Sequence, residues 1–179
     1  MMSASWSPHE KGVLLTGLSN GSVALWRLAS HLEAHTVTSL SEPTKLFGDL
    51  TADQSMPCVS AVRTVSWSSF HPQLFSSGGY DGCLKVWQTN DANRPVYSDR
   101  IYALGWVYDV AWCPLGNGLF YCGSDVPGCM WEPLWTDAAN LRKKLYYHPE
   151  TSHGCVWKTR AFSRGEYTYT VSASGGGSV

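Results

Sequence analysis

Apolar and polar residues alternate most clearly near the middle of the chain. Residues 62–67 (VRTVSW) alternate in this way, which is the period of a half-buried β-strand. Pro72 ends this run, because proline lacks the backbone donor that a sheet ladder requires. Residues 74–79 and 83–87 form two further short runs, separated by the tight turn of residues 80–82 (YDG). The pattern predicts three short strands joined by two turns.

The same pattern recurs along the chain. Residues 4–26 form a first copy, in which Asn-Gly occupies the turn that Asp-Gly occupies in the central copy. In both copies the tryptophans that close the first and third strands are 20 positions apart. Residues 107–131 form a third copy with a spacing of 19, and residues 154–179 form a fourth that stops at a glycine-rich turn. Repeats of this kind cannot bury both sheet faces alone, so they predict sheets stacked on one another.

These repeats resemble the WD40 family. The resemblance is carried by Trp67, by Pro72, by the glycine-rich turn of residues 78–82 and by the closing Val86-Trp87. It implies an all-β fold, a WD40-type β-propeller that is partial here, with about three and a half blades of the seven usual in the family. The Gly-His pair common in the family is absent before Val62, so we expect its buried Asp-His-Ser-Trp hydrogen-bond set to be incomplete. The predicted blades are residues 4–60, 61–105, 106–153 and 154–179.

Two stretches are too long for simple connections between blades, and insertions are predicted near residues 30–57 and 132–153. The first stretch, from Arg27 to Ser60, is expected to hold the outer strand of its blade, and residues 28–35 could form about two helical turns. The outer strand of the second blade is expected at residues 96–98 or 101–104. An arc of incomplete blades leaves open strand edges, so we expect the segment alone to be poorly soluble.

Composition narrows the function classes. The net charge is −1, which provides no global attraction to nucleic acid or anionic lipid. No apolar run is long enough to span a membrane, and the first twelve residues lack the apolar segment of a signal peptide. None of the six cysteines is in a CxxC motif, which argues against a zinc ribbon and favours reduced thiols. We therefore expect no cofactor, no metal, no membrane and no small-molecule substrate.

Candidate catalytic and metal-binding patterns are weak. His31 and His35 have a metal-capable spacing, but the glutamate is one place from its position in the metalloprotease motif. Pro57-Cys58 resembles part of a zinc deaminase signature, which needs a second cysteine where Ser60 stands. A triad of Ser66, His71 and Asp81 is disfavoured, because these residues belong to different parts of one repeat. The basic cluster at 142–144 is interpreted as a solvated loop. No enzyme activity is expected.

The remaining candidate is a protein-binding surface. In a WD40-type blade, the turn after the second strand and the start of the first strand lie on one rim, where tyrosine and arginine are typical of binding hot spots. The candidate rim residues are Asn20, Arg63, Tyr80, Asp81, Tyr108 and Asp125.

The partners expected are other protein subunits of a multiprotein complex. The order of features from residue 62 onwards, including Arg94-Pro95 and the 154–157 segment, is similar to WD-repeat subunits of the RNA polymerase III factor TFIIIC. That resemblance implies a nuclear scaffold that meets DNA at most indirectly, through the complex. The alternative is another WD40 adaptor, such as a ubiquitin-ligase substrate receptor or a trafficking-complex subunit, with a cytoplasmic location.

Overall fold

A computed structural model describes residues 2–28, 42–48, 60–100, 105–115, 118–123, 129–133, 143–147 and 155–175. At positions 99, 100, 120, 121, 129–133, 143–147 and 174 it describes the backbone alone. Within these ranges the chain is all-β, as predicted, and its antiparallel sheets are consistent with part of a WD40-type β-propeller. None of the described segments is a helix that could cross a bilayer.

The described strands form four antiparallel sheets, each with its strands in chain order. The first contains β1 (Ser3–Trp6), β2 (Val13–Gly17), β3 (Val23–Arg27) and β4 (Lys45–Phe47). The second contains β5 (Val62–Trp67), β6 (Leu74–Gly79), β7 (Cys83–Gln88) and β8 (Tyr97–Arg100). The third contains β9 (Val107–Trp112), β10 (Leu119–Gly123), β11 (Cys129–Pro133) and β12 (Lys143–Tyr147). The fourth is the hairpin of β13 (Val156–Arg164) and β14 (Tyr167–Ser174).

The first strands of successive sheets lie side by side. Strand β5 contacts β1 on one side and β9 on the other, and β9 in turn contacts β13. We call these four the inner strands. Their neighbouring positions bring residues about 45–60 apart in the sequence into one surface, which is where the candidate site forms.

Two tight turns follow the chemistry that their sequences predict. The side chain of Asn20 accepts a hydrogen bond from the backbone N–H of Ser22 at 3.1 Å, and Asp81 accepts one from Cys83 at 3.0 Å. The glycines between them, Gly21 and Gly82, have φ of 84° and 69°. These angles lie in the left-handed region that glycine tolerates best. The two repeats therefore have the same turn, which confirms the sequence interpretation.

Apolar side chains pack between the sheets rather than within one sheet. Between the first and second sheets, the rings of Phe47 and Phe75 meet edge to face at 4.9 Å, and Trp87 stacks beyond them on Phe75 at 6.2 Å. Leu84, Val86, Val107, Val110, Trp112 and Leu119 form the next layer. Full burial of one such side chain contributes about 1.5–3 kcal/mol. The packing of these side chains between stacked sheets therefore contributes substantially to the stability of the fold.

Tryptophan side chains hold the sheets in register. Within blades, Trp26 Nε1 donates to Thr16 Oγ1 at 2.9 Å and Trp87 Nε1 donates to Ser77 Oγ at 2.8 Å. Between blades, the indoles of Trp67 and Trp112 donate to backbone oxygens of the preceding inner strand, at 3.1 and 3.0 Å. The tryptophan part of the family's hydrogen-bond set is thus present in the first two sheets.

Parts of the predicted insertions belong to the sheets. Strand β4 lies within the stretch that was expected to hold the outer strand of the first blade, and it is the outer strand of the first sheet, with its Phe47 fully buried. Similarly, β12 lies within residues 132–153 and pairs with β11 along its length. The outer strand of the second sheet, β8, is at the first of the two positions proposed for it. The helical turns suggested for residues 28–35 fall almost entirely outside the described residues, as do His31, His35 and Cys58.

Candidate protein-binding rim

Three of the inner strands carry a β-bulge at the same place. Val62 pairs with Gly79 and Thr64 with Gly78, so that Arg63 between them has no pairing partner on β6. The register shifts in the same way around Tyr108 in β9 and around Trp157 in β13. A bulge bends its strand and redirects the extra side chain. The three bulges therefore place an arginine, a tyrosine and a tryptophan at equivalent points on one end of adjacent sheets.

Aromatic rings form a continuous row at this end of the molecule. Tyr80 meets Trp106 edge to face at 5.0 Å, and Trp106 meets Tyr108 at 6.3 Å. Tyr108 in turn stacks on Trp157 at 4.8 Å. We call these four residues the aromatic row. Trp106 and Trp157 are half exposed, at 50% and 49%, and Tyr80 is 36% exposed, whereas Tyr108 is buried beneath its neighbours.

A buried carboxylate joins the inner strands below the aromatic row. Asp109 is only 2% exposed, and its oxygens accept hydrogen bonds from the Thr64 hydroxyl and the Thr159 backbone N–H, both at 3.0 Å. The guanidinium of Arg160 donates to the same carboxylate at 2.8 Å, and the ammonium of Lys158 lies 3.3 Å from it. Hydrogen bonds to a charged group each contribute about 1.5–3 kcal/mol. Asp109 therefore ties the second, third and fourth sheets together.

The inner strands enclose a groove of about 520 Å³ that opens to solvent. Among its described lining residues, the cations are Arg63, Lys158 and Arg160, and the only carboxylate is that of Asp109. The side chains of Lys158 and Arg160 remain 58% and 62% exposed although they contact Asp109. The groove therefore carries an excess of positive charge, with two aromatic side chains of the row, Tyr108 and Trp157, in its wall.

Ser66, His71 and Asp81, which the sequence analysis weighed as a triad, do not come together in the structure. His71 precedes β6 and Asp81 follows it, so the six residues of that strand, roughly 20 Å, separate the two side chains. Asp81 instead caps its turn and lies 3.3 Å from Lys85. In the described segments, no three histidine, cysteine or acidic side chains gather where they could share a metal ion. The cations of the groove and the exposed rings of the aromatic row can bind a ligand by charge attraction and by apolar contact.

The predicted rim residues divide into two groups. Arg63 and Tyr108 line the groove, and Tyr80 joins Tyr108 through Trp106. Asn20 and Asp81 are at the same end of their sheets, where their side chains serve the turns. Asp125 lies outside the described residues. That the rim binds a protein remains a prediction.

Sequence reasoning found Arg63, Tyr80 and Tyr108 but missed the other residues of this surface, which are Trp106, Trp157, Lys158, Arg160 and the buried Asp109. One signal could have found Trp157. The triplets that begin at Val62, Val107 and Val156 are equivalent, and each has a large side chain in its second position. Alignment of the copies at these valines would have placed Arg63, Tyr108 and Trp157 together.

Comparison with known proteins supports the repeat assignment. Residues 54–88 match the family model "WD domain, G-beta repeat". Over 61 residues the chain is 38% identical to "Dynein intermediate chain 2, ciliary" from Heliocidaris crassispina, which covers 34% of this chain and 8% of that protein. Over 95 residues it is 25% identical to "Protein transport protein SEC31" from Pyricularia oryzae, covering 51% of this chain and 6% of that protein.

The chain thus spans less than a tenth of the length of either relative. Neither relative is a TFIIIC subunit, and the specific resemblance to TFIIIC receives no support from these matches. WD40 repeats are generally a non-catalytic scaffold that mediates contacts between proteins. Residues 54–88 are thus similar to one WD40 repeat, and the described antiparallel sheets are consistent with part of a WD40-type β-propeller.

Proposed function

We propose that this chain is part of a non-catalytic WD40-type scaffold that binds another protein through the aromatic row and the adjacent groove. The observation that carries the proposal is the row itself. The rings of Tyr80, Trp106 and Trp157 come from the second, third and fourth sheets and are partly exposed. Arg63 and Arg160 line the groove beside them. Tyrosine, tryptophan and arginine are enriched at the hot spots of protein interfaces. The two aromatic side chains offer a large contact area with few rotatable bonds, and arginine adds charge and several hydrogen-bond donors.

The test compares binding of the natural partner to variants of the full-length protein. Arg63→Ala combined with Tyr80→Ala is expected to weaken the partner's affinity by at least about tenfold, because both side chains belong to the predicted contact. Phe70→Ala is the matched control, since Phe70 is 54% exposed in the connection at the opposite end of β5. Full affinity in the double variant would rule the rim out.

For the kind of complex, we favour a transport or motor assembly over TFIIIC. The support is the identity of the two similar proteins, a protein transport protein and a dynein intermediate chain. Affinity purification of the full-length protein followed by mass spectrometry tests this choice. Recovery of subunits of a transport or motor complex is expected. Recovery of RNA polymerase III factors would instead restore the nuclear TFIIIC interpretation.

A further inference from the structure

The groove beside the aromatic row has a charge that is not neutralised within the described structure. Three cations, Arg63, Lys158 and Arg160, line it against one carboxylate. That carboxylate, Asp109, is 2% exposed and already accepts a hydrogen bond or ion pair from four donors, so it offers a ligand little negative charge. Lys158 and Arg160 have more than half of their side-chain surface in solvent, where a second anion could reach them.

We propose that the occupant of this surface is an acidic, extended segment of a protein partner, and this inference rests on the protein-binding function proposed above. Its apolar side chains pack on the aromatic row while its carboxylates contact Lys158, Arg160 and Arg63. Trp157 and Lys158 are consecutive residues on β13, so ring and charge are adjacent on one strand.

The dimensions of the surface suit a short extended peptide. The three ring-to-ring steps of the aromatic row are 5.0, 6.3 and 4.8 Å, so the row is at most about 16 Å long. An extended chain advances about 3.3 Å per residue, and its side chains alternate between two directions. Roughly five residues of alternating apolar and acidic type would therefore face the rings and the cations in turn.

Nucleic acid is the less favoured anion. Aromatic rings beside cations also bind single strands. However, the whole chain has a formal charge of −1. The described residues that line the groove include three cations, which is few for a long polyanion. A polyanion that repels the rest of the molecule gains less from this groove than a short peptide with a few carboxylates.

The experiment measures fluorescence polarisation of labelled seven-residue peptides with the full-length protein. One peptide alternates glutamate and leucine, the second replaces each glutamate by glutamine, and the third replaces it by lysine. The acidic peptide is expected to bind at least about tenfold more tightly than the other two, and its affinity should fall as salt rises from 50 to 200 mM. Equal binding of the glutamine peptide, or tighter binding of a single-stranded oligothymidine of similar length, would overturn the proposal.

Variants locate the site. Lys158→Gln with Arg160→Gln is expected to lower the affinity for the acidic peptide at least about tenfold. The charge-conserving pair Lys158→Arg with Arg160→Lys should bind as the unmodified protein does. Because both side chains also pair with the buried Asp109, the unfolding midpoint of the glutamine pair is measured as well, and a folded glutamine pair with weakened binding assigns the loss to the site. Unchanged affinity in the glutamine pair would refute the site.

The same variants separate this inference from the proposed function. If Arg63→Ala with Tyr80→Ala weakens binding of the natural partner but the acidic peptide does not bind, the rim is an interface for a partner of other chemistry. If the natural partner binds that double variant at full affinity, the proposed function itself fails.

Discussion

Asp109 connects three of the four inner strands, β5, β9 and β13. It accepts hydrogen bonds from Thr64 on β5 and from Thr159 on β13, and it faces two cations. Asp109→Asn keeps the shape but removes the charge and turns an amide NH₂ towards donors. Lys158 and Arg160 are largely solvated, so the loss of their ion pairs costs little. The weakened hydrogen bonds from Thr64 and Thr159 are expected to lower the free energy of unfolding by about 2–3 kcal/mol.

Urea denaturation followed by tryptophan fluorescence measures the effect of Asp109→Asn. Asp91→Asn is the control, because Asp91 accepts its hydrogen bond from Asn93 on the surface and pairs there with the exposed Arg94. The control is expected to unfold at the midpoint of the unmodified protein. The same midpoint for Asp109→Asn would show that the carboxylate does not hold the strands together.

Cys122 gives the protein a pH dependence in the alkaline range. Burial, and secondarily the negative charge of Asp109, raises the pKa of this thiol from 9.0 to about 12. Between these values the unfolded chain loses the proton while the folded chain keeps it. The stability is therefore fully present below pH 9 and falls with rising pH, by at most about 1.4 kcal/mol per pH unit.

Denaturation midpoints at several pH values between 8 and 11 measure this dependence. Tyrosines and lysines titrate in the same range, so the informative quantity is the difference between the unmodified protein and Cys122→Ala. The variant is expected to lose stability less steeply above pH 9. Parallel slopes would show that the thiol does not contribute.

At the scale of the strand, two glycines set how closely the sheets approach. A Cβ on Gly78 would lie 2.4 Å from Cγ1 and 2.9 Å from Cβ of Val107, the first residue of the next inner strand. Gly17 makes the equivalent approach to Val62. Gly78→Ala should therefore push β6 and β9 apart, and overpacking of this kind costs about 1–3 kcal/mol of the free energy of unfolding.

The control for Gly78→Ala is Gly48→Ala, because nothing lies within 4 Å of a Cβ placed on Gly48. Thermal unfolding of both variants is the measurement. A lowered midpoint is expected for Gly78→Ala alone. If Gly78→Ala melts like the unmodified protein, the sheets have room to adjust and the close approach is not required.

Local patterns could predict the strands and turns because these depend on residues near each other in sequence. Alternation placed β5, and the Asp81-Gly82 turn followed from side-chain chemistry within two residues. The Asp109 network could not be predicted in this way, because its carboxylate accepts from a hydroxyl 45 positions away and a backbone N–H 50 positions away. The bulge also shifts the alternation at the start of β13, so alternation alone does not place Trp157 at the rim, whereas alignment of the three valines does.

At the scale of the whole molecule, the two outermost sheets of the described arc each present an apolar face. Trp67 and Trp112 are 6% and 5% exposed because each donates to the inner strand of the preceding sheet. Trp6 ends β1 as Trp67 ends β5, yet it is 55% exposed, and Leu46 is 51% exposed. Trp6 is therefore positioned to pack against, and donate a hydrogen bond to, a further inner strand.

The fourth sheet has a similar exposed surface. Phe162 and Tyr169 stack at 5.4 Å on the β13–β14 hairpin, where they remain 48% and 44% exposed. Exposed apolar patches on open sheets favour association between molecules. We therefore expect the 179-residue chain, expressed alone, to self-associate, as measured by size-exclusion chromatography with light scattering.

Replacement of Trp6, Leu46, Phe162 and Tyr169 by lysine should shift the population towards monomer, whereas Phe70→Lys in the connecting turn should not. A monodisperse monomer for the unmodified chain at high concentration would show that these faces do not drive association.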